Sequence, residues 1–567
     1  AGTILDDVEQ RYFIKKAIHI LEQRGMQIEL KPQAVLDRII TAKQRLLGPR
    51  DNLEAIATQP ETEVIAAVYR IYQKLLFDLN HCDYEDLIYN CVLLLENNEK
   101  VGKKYQNRFP YVLVDEYQDL NHGQYRIVRA LCPPGNNVFV IGDPDQSIYG
   151  FRGSESRYFK QFLKDYPDAD IIRLNQNYRS TQTIIDAASQ VISLRKNNLA
   201  VESKVYSRID GFKTLTIIEA ASEKAEAVSI GKYIEKMIGG IGFHSIDFDT
   251  IDGGYENTSW GFSDFAVLYR TKDQGNIIAD VLQKAGIPCQ MASRQEALYK
   301  KGLAEIISVI KVIEGWGSYP DFENLIRCAV SDIGAKTVAE FTAWGLGNGW
   351  RLSRALNNAQ RFPIRGMKAA VQKKINALAV TLKEIGGRIQ TMRTEEKLSH
   401  ILQTPFLTLA EQSRQHLKAA NEEIFAVLSK FSTRQSENQT KIELSSDTDY
   451  YNPLSEKVTL LTMHAAKGLE FPVVFISGCE NGFVPFHGFG GTPADTDEER
   501  RLFYVAMTRA KERLFLSYAH KRVIYGKTVT RKLSPFVKVI KKQLTRHETP
   551  VDFNPNAQMP VQMKLFY

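Results

Sequence analysis

From residue 111 onward, short apolar runs alternate with helical stretches: "YVLVDE", "NVFVIGD", "ADIIRL", "TLTIIEA", "DFAVLYR", "KVTLLTMHAA", "FPVVFISG" and "RLFLSYA". No other feature restricts the fold as strongly. A strand that is apolar throughout has no face for water, so it needs cover on both sides. Alternation with helices supplies that cover around parallel sheets. The predicted fold class is therefore α/β. In the first run, Tyr111, Val112, Leu113 and Val114 read as a buried strand, and Asp115 and Glu116 stand at its carboxyl end. That is where an open α/β sheet binds ligands. Strand-terminal acids of this kind suit a magnesium ion and a polarised water beside a nucleotide.

A nucleotide site also needs a phosphate cradle, G-x-x-x-x-G-K-[ST], normally upstream. The first hundred residues contain only Gly2, Gly25 and Gly48, and none opens that pattern. The only "GKT" is Gly526-Lys527-Thr528, and the position of the cradle's first glycine is Lys521. Its surroundings, "HKRVIYGKTVTRK", lack an apolar strand running into a helix and read as a basic hairpin turn. Half of a nucleotide site is thus present in these residues.

The length, 567 residues, predicts several domains, and 44% hydrophobic and 25% charged residues are those of an ordinary globular protein. No run approaches 18 apolar residues, which excludes a transmembrane helix, and "AGTILDDVEQRYF" is not a signal peptide. That start lacks an initiator Met, so a processed chain or a fragment is expected. The six cysteines are scattered without a C-x-x-C pair, which argues against a zinc or disulfide framework and for a reducing cytoplasm. Net charge is only +7, but no Asp or Glu stands between His520 and His547, where Lys521, Arg522, Lys527, Arg531, Lys532, Lys538, Lys541, Lys542 and Arg546 cluster. The cluster reads either as a solvated face or as a polyanion contact.

Residues 1 to 100 read as helical from "VEQRYFIKKAIHILEQRG" and "PETEVIAAVYRIYQKLLFDL". Between about 318 and 450 the strand signal stops, and "MKAAVQKKINALAVTLKEIGGRI" and "LKAANEEIFAVLSKF" predict a helical insertion. Two polar stretches, 239–261 and 432–453, read as linkers, and there is no tandem repeat.

Five blocks follow one another in fixed order: "DEYQD" (115–119), "VFVIGDPDQSIYGFRG" (138–153), "LNQNYRS" (174–180), "VTLLTMHAAKGLEFPVVFISG" (458–478) and "EERRLFYVAMTRAKERLFLSYA" (498–519). Together they resemble motifs II to VI of the UvrD/PcrA/Rep-type superfamily-one DNA helicases. The resemblance reaches, more loosely, from about Ile4 to Phe536. Motif I, the upstream glutamine motif and the DNA-contacting segment after motif I have no counterpart in the sequence, and Leu120 stands where the family commonly has Thr.

The resemblance implies P-loop NTPase (RecA-like) parallel sheets, with the first motor domain incomplete and with helical 1B and 2B subdomains. It implies subdomain 1B at 1–80, the carboxyl-terminal part of motor domain 1A at 81–174, and motor domain 2A at 175–318 and 451–545. The 2B insertion falls at 319–450 and a tail at 546–567. ATP and Mg²⁺ are the implied cofactors; single-stranded DNA and junctions of single and double strands are the implied partners, with no membrane.

Roles carry over by resemblance. Asp115 holds the metal, and Glu116 is the general base toward the attacking water. Gln146 senses the γ-phosphate and couples it to DNA. Tyr178 stacks on adenine, Arg179 and Arg509 reach the γ-phosphate, and Glu470 accepts from the ribose hydroxyl. Tyr149 and Phe151 stack on DNA bases, and Thr462 and His464 touch the DNA backbone. "DIGAKTVAEF" (332–341) resembles a helix-hairpin-helix element and reads equally as a plain helix start. The implied activity is an ATP-dependent 3′-to-5′ helicase, here without its P-loop and expected to be inactive alone. Two other readings stay open: a non-catalytic DNA-binding relative, and the helicase subunit of a helicase-nuclease complex.

Overall fold

Acidic caps start two of the early helices. In the computed structural model, the described residues are 3–150, 153–155, 157–194, 205–239, 260–291, 303–329, 333–389, 392, 396, 400, 451–487, 495–524 and 526–548. Asp6 caps helix Asp7–Glu22 by accepting from the amides of Val8 and Glu9, and the Glu9 carboxylate accepts from the Asp6 amide in return. Asp83 and Asp86 repeat the device at helix Tyr84–Asn97. Behind that cap, Lys43 Nζ lies 2.6 Å from Asp83 and 2.8 Å from Asp86 in a fully buried cluster, and Tyr72 donates to Asp83 at 3.0 Å.

The chain divides into two compact units. The first comprises residues 1–114, 120–140 and 294–450. Its strands β1 (Thr3–Ile4) and β2 (His81–Cys82) pair in parallel. Helices Asp7–Glu22, Pro32–Gln44 and Glu61–Asp78 supply Phe13, Val35 and Tyr69 to a core that also takes Tyr319, Phe322 and Phe341 from helices after residue 303. The helix expected in 367–389 is Ala369–Ile389. Gly334 immediately precedes helix Ala335–Gly347, a start that both readings of 332–341 share. The expected helix at 417–431 lies outside the described residues, as do the two polar linkers except at their ends.

Strands β3 (Tyr111–Val114) and β4 (Asn137–Val140) also pair in parallel. Here the structure corrects an expectation. The run "YVLV" is a strand but not a buried one: Tyr111 is 70% and Leu113 74% exposed, while Val112 and Val114 are half-buried. The reason is geometric. Side chains alternate between the two faces of a sheet, and only one face of this two-stranded ribbon is covered.

The second unit comprises residues 115–119, 141–293 and 451–567. A short pair, β5 (Gln176–Asn177) and β6 (Tyr206–Ser207), precedes the main sheet. That sheet contains β7 (Leu215–Ser222), β8 (Phe265–Tyr269), β9 (Cys289–Met291), β10 (Val458–Thr462), β11 (Phe471–Ile476), β12 (Ala510–Ile524), β13 (Lys527–Thr530) and β14 (Thr545–Glu548). The order is β14-β7-β12-β11-β8-β10-β9, parallel throughout, with β13 added antiparallel to β12. Strand β8 is buried at every position. Phe265 and Val267 meet helices Glu223–Ile238 and Lys272–Lys284, while Ala266 and Leu268 face helices Gln182–Ile192 and Thr496–Met507. The continuous apolar runs of the sequence follow directly from this two-sided burial.

One expected strand is absent. Residues 169–174, "ADIIRL", form no regular structure, and Ile171, Ile172 and Leu174 are exposed. Pairing begins only at Asn175, whose carbonyl accepts from the Tyr206 amide at 3.0 Å. A strand needs a neighbouring edge, and none of the described strands lies beside these six residues. The "GKT" is a hairpin turn, as its sequence predicts: Ile524 faces Lys527, and Gly526 takes φ +75°, where a side chain would be strained.

The basic run is not uniform. Arg522 is buried and bridges Glu226 and Glu480, and Ser517 and the Gly478 amide also donate to Glu226. Burial raises the Glu480 carboxyl, against the pull of Arg522. Arg522 therefore leaves the solvated set, whereas Lys521, Lys527, Lys532, Lys538, Lys541 and Lys542 are exposed. Arg522→Leu strands two buried carboxylates, so it should destabilise this unit by about 3–5 kcal/mol. Urea denaturation followed by circular dichroism measures the loss, and a change below about 1 kcal/mol would show that Glu226 and Glu480 readily go neutral together.

Candidate functional site

Most of the motif residues singled out by the sequence fall in the second unit. Glu116 has φ +51°, a left-handed conformation that non-glycine residues rarely adopt. Its carboxylate accepts from Gln118 Nε2 and lies 3.4 Å from Lys467 Nζ. Asp115 accepts from the Glu116 amide at 2.8 Å. Gln118 is buried and joins two sequence blocks, since its Oε1 accepts from the Asp143 amide at 3.1 Å and its carbonyl from Ser147 Oγ at 3.2 Å. Gly142 permits this approach: a Cβ there would stand 2.2 Å from Gln118 Oε1 and 3.0 Å from the Tyr117 nitrogen.

Gln146 follows in a short 3₁₀ turn, Pro144–Gln146. Its Nε2 donates to Asp143 at 2.9 Å, and its Oε1 accepts from Arg509 at 3.4 Å. Arg509 follows helix Thr496–Met507 and is only 2% exposed. Its other hydrogen bonds go to the carbonyls of Val505 and Leu469 and to Thr508 Oγ1. Each of these acceptors is neutral. Burial, and then the like charge of Arg179, pushes its pKa down to about 10, so it is still a cation at neutral pH.

Arg179 is held beside β5, where its amide donates to Asn177 Oδ1 at 2.9 Å. Ser180 Oγ donates to the Ala510 carbonyl at 2.6 Å, and the Thr181 amide to the Lys511 carbonyl at 3.0 Å, which fasten this segment to the start of β12. Arg179 Nε lies 2.6 Å from Glu470, and Lys511 Nζ lies 2.8 Å from the other oxygen of Glu470. Hydrogen bonds from Lys511 and then Arg179 pull the Glu470 pKa down to about 2. These residues, with Gln176, Asn177 and Tyr178, line an open cavity of about 390 Å³. Tyr178 is 79% exposed, its ring free to take a planar partner.

The structure thus gathers Tyr178, Arg179 and Glu470 around one cavity and joins Gln146 to Arg509. Thr462 ends β10, and its Oγ1 accepts from the Ala465 amide at 3.2 Å. His464 lies in the turn that follows, half-buried. Tyr149 is half-buried against the core of this unit. Phe151 lies outside the described residues. Three participants were missed in the sequence. Gln118, Lys467 and Lys511 stand inside "DEYQD", "AKGLEF" and "TRAK", but a lysine or glutamine beside a conspicuous acid or arginine carries no signal of its own.

Magnesium and ATP suit the groups present. Among the described residues no three acids, histidines or cysteines gather as a metal cluster. A Mg²⁺ at Asp115 would therefore take its remaining oxygens from phosphate and water, as that ion commonly does. A buried guanidinium with neutral partners and a cavity edged by Arg179 and Lys511 fit an anion.

A mostly parallel α/β unit with strand-end acids and a buried arginine belongs to the class of P-loop NTPases. The family model for the UvrD/REP helicase N-terminal domain matches residues 2–167, and that for the UvrD-like helicase C-terminal domain matches 172–521. The ATP-dependent DNA helicase PcrA of Leuconostoc citreum is 32% identical, over 96% of this chain and 71% of that protein. PcrA of Staphylococcus aureus strain MRSA252 is 29% identical, over 96% of this chain and 73% of its own length. The chain belongs to the UvrD/PcrA-type family of ATP-dependent DNA helicases.

If Arg509 serves an anionic ligand, it costs the unliganded fold desolvation energy. Arg509→Met should then leave the melting temperature unchanged or raise it. Differential scanning calorimetry checks this, and a clear fall would make Arg509 a structural residue.

Proposed function

We propose that this chain carries the base, the arginines and the DNA-contacting groups of an ATP-driven, single-stranded DNA translocase and helicase that moves 3′ to 5′. The observation that carries the reading is Arg509: a buried cation with neutral acceptors, bonded to Gln146, which lies three residues before Tyr149 in the sequence. Direction rests on the family resemblance. We also place the protein in the cytoplasm. Among the described residues no helix is long and apolar enough to cross a membrane.

In this reading Asp115 holds the magnesium ion and Glu116 takes a proton from the attacking water. ATP, when bound, supplies the phosphoanhydride whose cleavage drives movement. Arg179 and Arg509 offset charge on the transferring phosphoryl group, a task that suits a planar fork that stays charged. Tyr178 stacks on the base, and Glu470 shares itself between Lys511 and a ribose hydroxyl. Gln146 relays the state of the phosphate side, through Arg509, toward Tyr149. Tyr149 and Phe151 stack on bases, which tolerates any sequence, while Thr462 and His464 meet the backbone.

The 567 residues contain no G-x-x-x-x-G-K-[ST] cradle, the element that supplies most contacts to the β- and γ-phosphates. We therefore expect the purified 567-residue chain to show no DNA-stimulated ATPase activity above background. A coupled phosphate-release assay tests it, and turnover typical of a helicase would mean that other residues cradle the phosphates.

Single-stranded DNA should still bind, weakly. Log affinity should fall with log salt by about 0.7 per phosphate neutralised. Replacing Lys541 and Lys542 together should flatten that slope if the exposed lysines near the end of this unit touch DNA. Fluorescence anisotropy of a labelled oligothymidylate at several salt concentrations measures both, and an unchanged slope would return those lysines to a solvated face.

A further inference from the structure

Lys467 has no part in the roles assigned above, yet four groups converge on it. It lies in the segment between β10 and β11, and its side chain is 7% exposed. Its ammonium pairs with Asp119 and stands 3.4 Å from Glu116 Oε2. It donates to the Gln146 carbonyl at 2.8 Å and lies 5.2 Å from the centre of the Tyr149 ring. Both acids belong to the "DEYQD" block; Gln146 and Tyr149 belong to the aromatic turn. One cation therefore ties the acid-bearing turn to the aromatic one.

The chemistry is specific to a compact point charge. An ammonium has three donors and no fixed plane, so it can serve a carboxylate and a carbonyl while facing a ring. Asp119 is lifted by burial and lowered by Lys467, with Glu116 acting against Lys467 as a second negative charge. Without the lysine, two acids would share this corner with no cation between them. The backbone of Gln146 would lose its donor, and the face of Tyr149 its positive neighbour. A cation over a ring contributes about 0.5–1 kcal/mol when exposed and about 2 kcal/mol when desolvated, enough to bias which way an otherwise half-buried ring lies.

We infer that Lys467 is a positioning residue that holds Tyr149 in its DNA-stacking orientation and makes that orientation depend on the Glu116–Asp119 acids. The DNA half of this inference rests on the proposed function; the hold on the ring does not. Two measurements on the 567-residue chain separate them. The first needs no DNA. In a Tyr149→Trp background, with the parent emission subtracted, Lys467→Gln should shift the emission of the introduced indole to the red, and Lys467→Arg should shift it less. Asp119→Asn, which keeps the cation and removes its main anchor, should give an intermediate shift and serves if Lys467→Gln folds poorly. Emission that none of these variants changes overturns the inference.

The second measurement is oligothymidylate binding across a salt series. Lys467→Gln should weaken binding about tenfold, within the range of one lost stacking contact, with the salt slope unchanged and with Lys467→Arg restoring most of the loss. In a Tyr149→Ala background the same substitution should cost less than about twofold, because its effect runs through the ring. A slope flattened by about 0.7 would make Lys467 a direct phosphate contact and overturn the positioning role. An equal loss in both backgrounds overturns it too. If the parent chain binds no oligothymidylate, the DNA reading fails, and the emission shift alone decides whether Lys467 holds the ring.

Discussion

Parallel pairing fixes where this chain can place chemistry. Strands β10 and β11 run the same way on either side of β8, so the chain must return from the carboxyl end of one to the amino end of the other. It does so within residues 463–470, a shorter path than most such crossovers. The path is anchored in the core by Met463 and Ala466, both buried. Thr462 and His464 sit where it leaves the sheet, Glu470 where it re-enters, and Lys467 between them. A five-residue strand spans about 16 Å. A single short segment thus connects the two ends of the sheet, and its side chains are as far apart as the sheet is deep.

The two ends are chemically different. At the amino end, Glu470 precedes β11 and Lys511 lies at the start of β12, while the Phe471 amide donates to the Arg509 carbonyl at 3.0 Å. Arginine, lysine and glutamate collect there beside Tyr178 and Arg179. This inverts the usual rule that an open parallel sheet binds ligand at its carboxyl end, which in this chain describes Asp115 and Glu116 after β3. Asp115 and Glu116 follow the end of one strand, and Arg179 and Lys511 gather at the start of others.

Much of this was legible in the sequence, for physical reasons that can be named. Strands β8 and β11 are buried on both faces, so their apolar runs are continuous and unmistakable. The hairpin at Gly526 was legible because the residue where a cradle's first glycine belongs is Lys521. Other features were not legible, because they depend on neighbours rather than on local pattern. Leu113 and Ile172 have the composition of buried strand residues, but whether a strand is covered is decided by what lies beside it. Arg522 looks like one more basic residue in an acid-free run. Only the fold shows Glu226 and Glu480 on either side of it. Lys467 and Lys511 are invisible for the same reason, since each takes its meaning from a carboxylate distant in sequence.

The conformation of Glu116 connects these points. A left-handed non-glycine residue costs about 1–3 kcal/mol and persists only when its surroundings hold it. Its backbone is tied to Asp115 and Asp119, and its side chain meets two groups: Gln118, buried and bonded across to the Asp143 amide, and Lys467, bonded to the Gln146 carbonyl. Both lead into the same turn, Asp143 to Gln146. The strained residue is therefore held by groups that also shape the turn carrying Gln146 and leading to Tyr149. A change at Glu116 Oε2, the oxygen that both Gln118 and Lys467 meet, reaches that turn within two polar contacts. Coupling between this acid and the Tyr149 ring, both beside Lys467, then requires no long pathway, only that the strain at Glu116 be relieved in one state and not in the other.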